Sequence, residues 1–234
     1  MTVKVETNLS KLPTWLKTSS SPVGTPTTPA EGSQRKTLGE TPPVVAKLSD
    51  HPDLVHLFTH YGAIQKARRK LRLFSGKDGK VILAKKTVGA ADNLGNIYLG
   101  VEFLQEHGGN DALLSAVMAH EWGHLISNTS KHGNLDHLSW DDIFKLRKEE
   151  EAAADVFCGR MLAMMGYSPE AIVQFLLKAE KGNDTLKYYA APIRGAIIEE
   201  AHRVHSLRNE NTRKLLPKGI YPNPYTSRII LADE

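Results

Sequence analysis

The pentapeptide HEWGH is the part of this sequence whose residue types and spacing point most directly to chemistry. It places His120 and His124 four residues apart, with Glu121 directly after the first histidine. On a helix, side chains four apart leave the same face one turn from each other, so both imidazoles reach one point. Two neutral imidazoles with a nearby carboxylate are what a zinc ion and its bound water require. The pattern therefore predicts a catalytic zinc site, and a pair of hydrogen-bonded core histidines is the alternative.

A third protein ligand is needed, because catalytic zinc sites usually have three protein ligands and one water. Glu151, in the stretch EEEAAAD, is the predicted third ligand. Helical spacing puts Ala154 and Cys158 on its face, so its carboxylate is expected to be buried and to need a positive partner. Asp155 faces the same way and is predicted to accept the free N–H of a ligating imidazole. The alternative third ligands lie between the two predicted helices and are His132, Asp136 and His137.

Two helices must position these side chains, and both can be recognised from caps and apolar spacing. The first is predicted over residues 110–127, with Asn110 or Asp111 as its cap. Its histidines share a stripe with Leu113 and Val117, so they are expected to point into the protein. The second helix is predicted over residues 139–165, and the three alanines after Glu151 would let it pack closely against the first.

The remaining elements are predicted from turn signals and apolar spacing. A helix begins at Pro52 and ends in the basic run KARRKLR, residues 66–72. Strands over 71–75 and 80–85 are expected to form a hairpin around Asp78-Gly79, and a third strand covers 95–100. Further helices are predicted over residues 101–107, 168–180 and 193–207, and residues 217–234 are expected to be extended or loop. The fold class is therefore α+β, mostly helical with a small sheet of about three strands.

Composition limits the class of protein. The chain has 234 residues, 41% of them apolar, which suits one sizeable domain with a polar extension. Against 26 acidic residues, 30 basic ones give a net charge of +4, too small by itself to indicate nucleic-acid binding. A single cysteine excludes a disulfide framework and a cysteine-rich zinc ribbon. No apolar run approaches the roughly 18 residues of a membrane span.

The first part of the chain differs from the rest. Residues 1–43 are rich in Ser, Thr, Pro and Gly, and they have too few apolar residues to offset the entropy of ordering. They are predicted to be a disordered tail or linker, and a leader that binds an unknown partner is the alternative. Residues 44–234 are predicted to form one domain. The tail lacks the apolar core of a signal peptide, so a cytoplasmic location is expected, with secretion after loss of a signal as the alternative.

Here the sequence resembles a known family. HEWGH, then Glu151-xxx-Asp155, then GYSPEA resemble the HExxH–ExxxD gluzincins, the group of the HtpX-type heat-shock protease, Oma-type proteases and CAAX prenyl endopeptidases. The stretch NLGNIYLGVEFL is similar to the strand and helix that precede the zinc motif in that family. The resemblance implies a soluble, zincin-like metallopeptidase domain. It also implies a substrate-binding strand at the edge of the sheet, made of Gly95, Asn96, Ile97, Tyr98 and Leu99.

The family also carries a late histidine, thought to steady the transition state, followed six positions on by an arginine. His202 and Arg208 match that spacing, and His205 is the alternative histidine. The resemblance thus implies a zinc-dependent endopeptidase that acts on a protein or peptide, with Glu121 as general base.

Other functions are compatible with the same sequence features. One is a zinc-binding regulatory or interaction module that has a protease fold but no turnover. Another is a nucleic-acid-binding protein that uses the basic run at 66–72, although no interleaved aromatic residues support it. A third is the gluzincin class that cleaves repressors in stress responses.

Overall fold

The structure is a computed structural model and describes residues 43–92, 94–127, 139–179, 185, 188–215, 220–222 and 229–231. These residues are mostly helical, with one four-stranded mixed sheet and a separate pair of strands. The helices are α1 (Val55–Phe58), α2 (Ala63–Ser75), α3 (Val101–His107), α4 (Asp111–Ser127), α5 (Trp140–Met165), α6 (Glu170–Ala179) and α7 (Ala191–Leu215). The strands are β1 (Val44–Val45), β2 (Lys80–Lys85), β3 (Gly89–Ala91), β4 (Asn96–Gly100), β5 (Ile220–Pro222) and β6 (Ile229–Leu231).

Helix α4 is the centre of the fold. Leu114, Met118 and Trp122 are fully buried on it, and the helix packs against α2, α5 and the sheet. Its predicted cap is confirmed, since Asn110 Oδ1 accepts a hydrogen bond of 3.0 Å from the backbone N–H of Leu113. A helix that is apolar on nearly every side can exist only where other elements cover it, which explains its central place.

Helix α5 begins and ends as the sequence predicts. Ser139 Oγ accepts from the backbone N–H of Asp142 at 3.2 Å, and Gly166 ends the helix in the left-handed region at φ +77°. Helices α4 and α5 approach each other closely where Gly123 meets Ala154. A Cβ atom on Gly123 would lie only 2.8 Å from the Cα atom of Ala154, so glycine is required for this separation.

The predicted strand over 71–75 is wrong, and with it the hairpin at Asp78-Gly79. Ile64, Ala67 and Leu71 form one buried stripe at helical spacing, so α2 continues to Ser75. Asp78 instead accepts hydrogen bonds of 3.1 and 3.0 Å from Arg68, which ties the loop back to the helix. The single helix predicted from Pro52 is also divided, because the backbone is extended at Thr59 and Gly62, between α1 and α2.

The sheet has the strand order β1-β2-β4-β3. Strands β2 and β4 are parallel, with Leu83 opposite Leu99, while β1 and β3 pair antiparallel with β2 and β4. The predicted strands over 80–85 and 95–100 are thus confirmed, and β1 and β3 were not predicted. Strand β3 has the sequence Gly-Ala-Ala, which carries no strand signal of its own.

The strand predicted to lie at the edge of the sheet is an interior strand. Strand β4 is paired on both sides, and Gly89, Ala90 and Ala91 of β3 lie opposite Leu99, Tyr98 and Ile97. Ile97 and Leu99 are fully buried. The edge next to β4 is therefore formed by β3, which takes the place predicted for residues 95–99.

The other predicted elements agree with the structure in type. Helices α3 and α6 lie where they were expected, and α7 extends further than the predicted 193–207 at both ends. Short strands at 220–222 and 229–231 pair in the part predicted to be extended or loop.

None of the helices in the described residues has the length and apolar character needed to cross a membrane. The predictions for residues 1–42 and for His132, Asp136 and His137 lie outside the described residues.

Candidate metal centre

Three side chains from two helices meet at one point. His120 and His124 reach it from α4, and Glu151 reaches it from α5. His120 Nε2 lies 3.2 Å from Glu151 Oε2 and 3.3 Å from His124 Nε2, and His124 Nε2 lies 3.5 Å from the same carboxylate oxygen. These are the three residues that the sequence predicts as metal ligands.

The distances between the three atoms fit a metal ion. Tetrahedral zinc with bonds of about 2.0–2.1 Å to nitrogen and oxygen places neighbouring ligand atoms about 3.3 Å apart. The observed separations of 3.2, 3.3 and 3.5 Å lie close to that value. Two imidazole nitrogens and one carboxylate oxygen are also a usual ligand set for such an ion. His120, His124 and Glu151 could therefore hold a metal ion.

A buried ion pair stands behind His120. Its Nδ1 atom lies 2.9 Å from Asp155 Oδ1, the carboxylate that the sequence places near a ligating imidazole. Arg194 on α7 donates to both oxygens of the Asp155 carboxylate, from Nε at 2.9 Å and from a terminal nitrogen at 3.0 Å. Asp155 is fully buried and Arg194 nearly so. The pair joins α4, α5 and α7, and it holds the His120 ring in one orientation.

Arg194 was not predicted from the sequence. Ile197 and Ile198 follow it at helical spacing and are both buried, so Arg194 lies on the buried stripe of α7. An arginine on such a stripe needs a buried acidic partner, which Asp155 supplies. This pattern was the signal that could have found Arg194.

Charge at the centre is balanced by close contacts. Burial opposes the charged form of His120, but Asp155 and Glu151 outweigh it and raise the pKa of this imidazole to about 10. Burial also opposes the charged form of His124, but Glu151 outweighs this effect and raises the pKa of the His124 imidazole. Burial likewise opposes the charged forms of Glu151 and Asp155, but the neighbouring cations hold the pKa of each carboxyl below its ordinary value.

Glu121 lies beside the three possible ligands and also against the sheet. It is buried, and this burial raises the pKa of its carboxyl above the ordinary value. A Cβ atom built on Gly89 of β3 would lie 2.7 Å from Glu121 Oε1 and 3.0 Å from Val117 Cγ1. The carboxylate is therefore packed between the metal centre and the edge strand, and only glycine at position 89 leaves room for it.

The predicted oxyanion histidines are not brought to this centre. His202 Nε2 lies 2.9 Å from the carbonyl oxygen of Tyr167, just past the C-terminal end of α5. Burial, together with Arg160, Arg208 and His202, lowers the pKa of His205, so its charged neighbours are cations rather than the metal ligands. Arg208 is exposed. The spacing from His202 to Arg208 thus does not identify side chains of the centre, because the two helical turns that carry them lie beyond Arg194.

The basic run at 66–72 has partners within the protein. Arg68 and Arg72 lie 3.0 and 3.5 Å from Asp78 Oδ2, and Arg69 donates to the carbonyl oxygen of His60 at 2.7 Å. Lys70 lies over the ring of Tyr167. Arg68 and Arg72 are thus paired near the C-terminus of α2, where cations are favoured, and Arg69 contacts the segment that precedes the helix.

Comparisons of the chain with protein-family models, with curated proteins and with solved structures gave no match.

Proposed function

We propose that this protein is a zinc-dependent endopeptidase of the HExxH–ExxxD type, with a zincin-like fold. The observation that carries the proposal is the meeting of His120 Nε2, His124 Nε2 and Glu151 Oε2 within 3.5 Å of one another, beside the buried carboxyl of Glu121. Two histidines and one glutamate leave a fourth position for water, which distinguishes a catalytic zinc site from a closed structural one.

The chain supplies the groups that peptide hydrolysis requires. His120, His124 and Glu151 would hold the zinc ion, which would lower the pKa of a water molecule toward neutrality and polarise the scissile carbonyl. Glu121 takes a proton from that water and delivers it to the leaving amine, and its raised pKa suits a group that must both accept and donate. Asp155 and Arg194 keep His120 oriented with Nε2 toward the centre.

Strand β3 is the proposed place for the substrate backbone. Gly100 N–H donates to Val88 O, and Asp92 N–H donates to Asn96 O, so the backbone groups of Gly89 face away from β4. One face of the same strand lies against Glu121, through the close contact at Gly89. An extended peptide that adds to this edge would pass beside the general base, and an open edge needs no free chain terminus. Endopeptidase activity is therefore favoured.

Replacing Gly89 by Ala is expected to reduce turnover while leaving the metal bound. The added methyl group would lie 2.7 Å from Glu121 Oε1, so the carboxylate or the strand must move. Displacing a catalytic group by about 1 Å can reduce the rate about 10²-fold. The measurement is kcat on a peptide substrate together with zinc content. Gly109→Ala is the matched control, because a Cβ atom there meets nothing within 4 Å. Full activity of Gly89→Ala would contradict the placement of Glu121 against β3.

Zinc binding is expected to release protons. Before the ion binds, the His120 imidazole with a pKa of about 10 is charged at neutral pH, whereas a metal ligand must be neutral. Affinity should therefore rise with pH below that pKa, by about tenfold per pH unit for each proton released. Calorimetric titration of the protein with Zn²⁺ in two buffers of different ionisation enthalpy counts the protons. If no proton is released, His120 is already neutral in the free protein.

Metal removal tests the proposed function as a whole. The purified protein is expected to contain one zinc ion per chain and to cleave unfolded casein. Dialysis against a chelator should abolish cleavage, and one equivalent of zinc should restore it. Cleavage that continues in the chelated protein would overturn the proposal. Zinc binding without cleavage of any peptide library would point instead to a zinc-binding module without turnover.

A further inference from the structure

One side of α7 faces α5, and its chemical character changes along the helix. Residues three or four apart share that side, and they are Arg194, Ile198, Ala201, His205 and Arg208. The first part is fixed by contacts with α5: Arg194 pairs with Asp155, and a Cβ atom on Gly159 would lie 2.9 Å from Ala201 Cβ. The next turns of this α5–α7 seam carry titratable or charged side chains in place of apolar or paired ones.

Basic side chains gather at this end of the α5–α7 seam. Arg160 follows Gly159 on α5 and is half-buried, as is His205 on α7. Burial, and after it the charge of Arg208, lowers the pKa of Arg160. Burial, followed by Arg160, Arg208 and His202, lowers the pKa of His205. These side chains therefore lie near enough to repel one another when charged, and an anion between them would offset that repulsion.

The two half-buried groups have no acidic partner among the residues that the structure describes. Neither Arg160 nor His205 forms a hydrogen bond or an ion pair with any of them. Glu200, an acid on α7, is instead paired with Arg203 on the exposed side of that helix, at 2.7 and 2.8 Å. Burial leaves the Arg160 guanidinium with less water than an exposed arginine has, and no described acid compensates for this loss. Arg208 has an interaction of its own, so it contributes charge here and is not taken as a free donor.

We propose that Arg160 and His205 form a binding site for a phosphate-type anion at this end of the α5–α7 seam. A planar guanidinium matches two oxygens of a tetrahedral anion and donates to both. The imidazole adds an N–H donor from the neighbouring helix, so the anion would bridge α5 and α7. Free phosphate and the phosphate group of a small molecule share this chemistry. Arg160 follows Glu151 by about two and a half turns, which puts it on the other side of α5 from the metal centre.

Calorimetric titration of the full chain with inorganic phosphate tests the site, with the ionic strength held constant by sodium chloride. The wild type is expected to bind one phosphate, which should also raise its thermal midpoint. Arg160→Gln should bind phosphate about 10–100-fold more weakly, as expected for loss of a charged hydrogen-bond donor. Its thermal midpoint without phosphate should equal or exceed that of the wild type, because an uncompensated cation has been removed. Titration with glycerol 2-phosphate shows whether free phosphate or a phosphate monoester binds more tightly.

Arg203→Gln is the matched control, because it removes the same charge from the exposed side of α7 and should bind phosphate as the wild type does. His205→Gln should weaken binding in the same direction as Arg160→Gln, and it tests the site if Arg160→Gln does not fold. The proposal would be overturned if the wild type showed no saturable binding, or if Arg203→Gln weakened binding equally. Undiminished binding in Arg160→Gln would also overturn it, because the phosphate would then lie elsewhere, such as on a metal ion. Zinc content and peptide cleavage test the proposed function separately.

Discussion

Glu121→Gln is expected to abolish peptide hydrolysis and to leave zinc bound. Glutamine has nearly the same shape, so it fills the space against Gly89 and Val117, but its carboxamide cannot take a proton from water. Loss of a positioned general base costs about 10²–10⁴-fold in rate. Since the proposed ligands are His120, His124 and Glu151, zinc content should equal that of the wild type. Measuring kcat checks the loss of hydrolysis, and measuring metal by atomic emission checks that zinc stays bound.

Glu102→Gln is a suitable control for that experiment. Glu102 is exposed on α3, and the same chemical change there should alter neither rate nor metal content. If Glu121→Gln turned over peptide as fast as the wild type, the proton of the attacking water would have to pass through another group. Reduced zinc in this variant would instead identify Glu121 as a ligand.

Glu151→Ala is expected to remove the metal and, with it, all turnover. The substitution takes away the only carboxylate among the three possible ligands and leaves two imidazoles. Loss of a group that merely orients a ligand costs about 10–100-fold in metal affinity, so loss of a ligand should exceed that range. Competition with a coloured chelator measures the affinity, and cleavage of unfolded casein measures the activity.

Glu149→Ala provides the matched control on the same helix. Glu149 lies two residues before Glu151, on a different side of α5, and its removal should preserve both zinc and cleavage. If Glu151→Ala retained stoichiometric zinc at wild-type affinity, the third ligand would have to come from elsewhere, and the proposed centre would be wrong.

The centre could be anticipated because its parts are encoded locally. His120 and His124 are one turn apart on a helix marked by its cap and apolar spacing, so their meeting depends only on that helix. Glu151 and Asp155 repeat this arrangement on α5. The close approach of the two helices was also predicted, because three alanines follow Glu151, and in the structure one of them, Ala154, meets Gly123.

What could not be anticipated depends on long-range packing. Arg194 reaches Asp155 only because α7 packs along α5. The sequence around either residue does not predict which partner the other helix supplies. Likewise, the order of strands is a property of the whole sheet. The residues of β4 predict a strand there, but they do not predict that β3 pairs with its outer side. The apolar residues in 71–75 are compatible with either a strand or a helix. They are helical because the buried stripe that begins at Ile64 continues at helical spacing to Leu71.

Strand β3 bears on which sequences the proposed enzyme would accept. Its residues are Gly, Ala and Ala, so a substrate next to β3 would meet no side chain of this strand longer than a methyl group. A peptide that pairs with β3 would be bound by main-chain hydrogen bonds, which nearly all amino acids form equally well. Discrimination would then depend less on residue identity than on whether a segment is unfolded enough to lie straight, so misfolded or loosely structured chains would be cut in preference to compact ones.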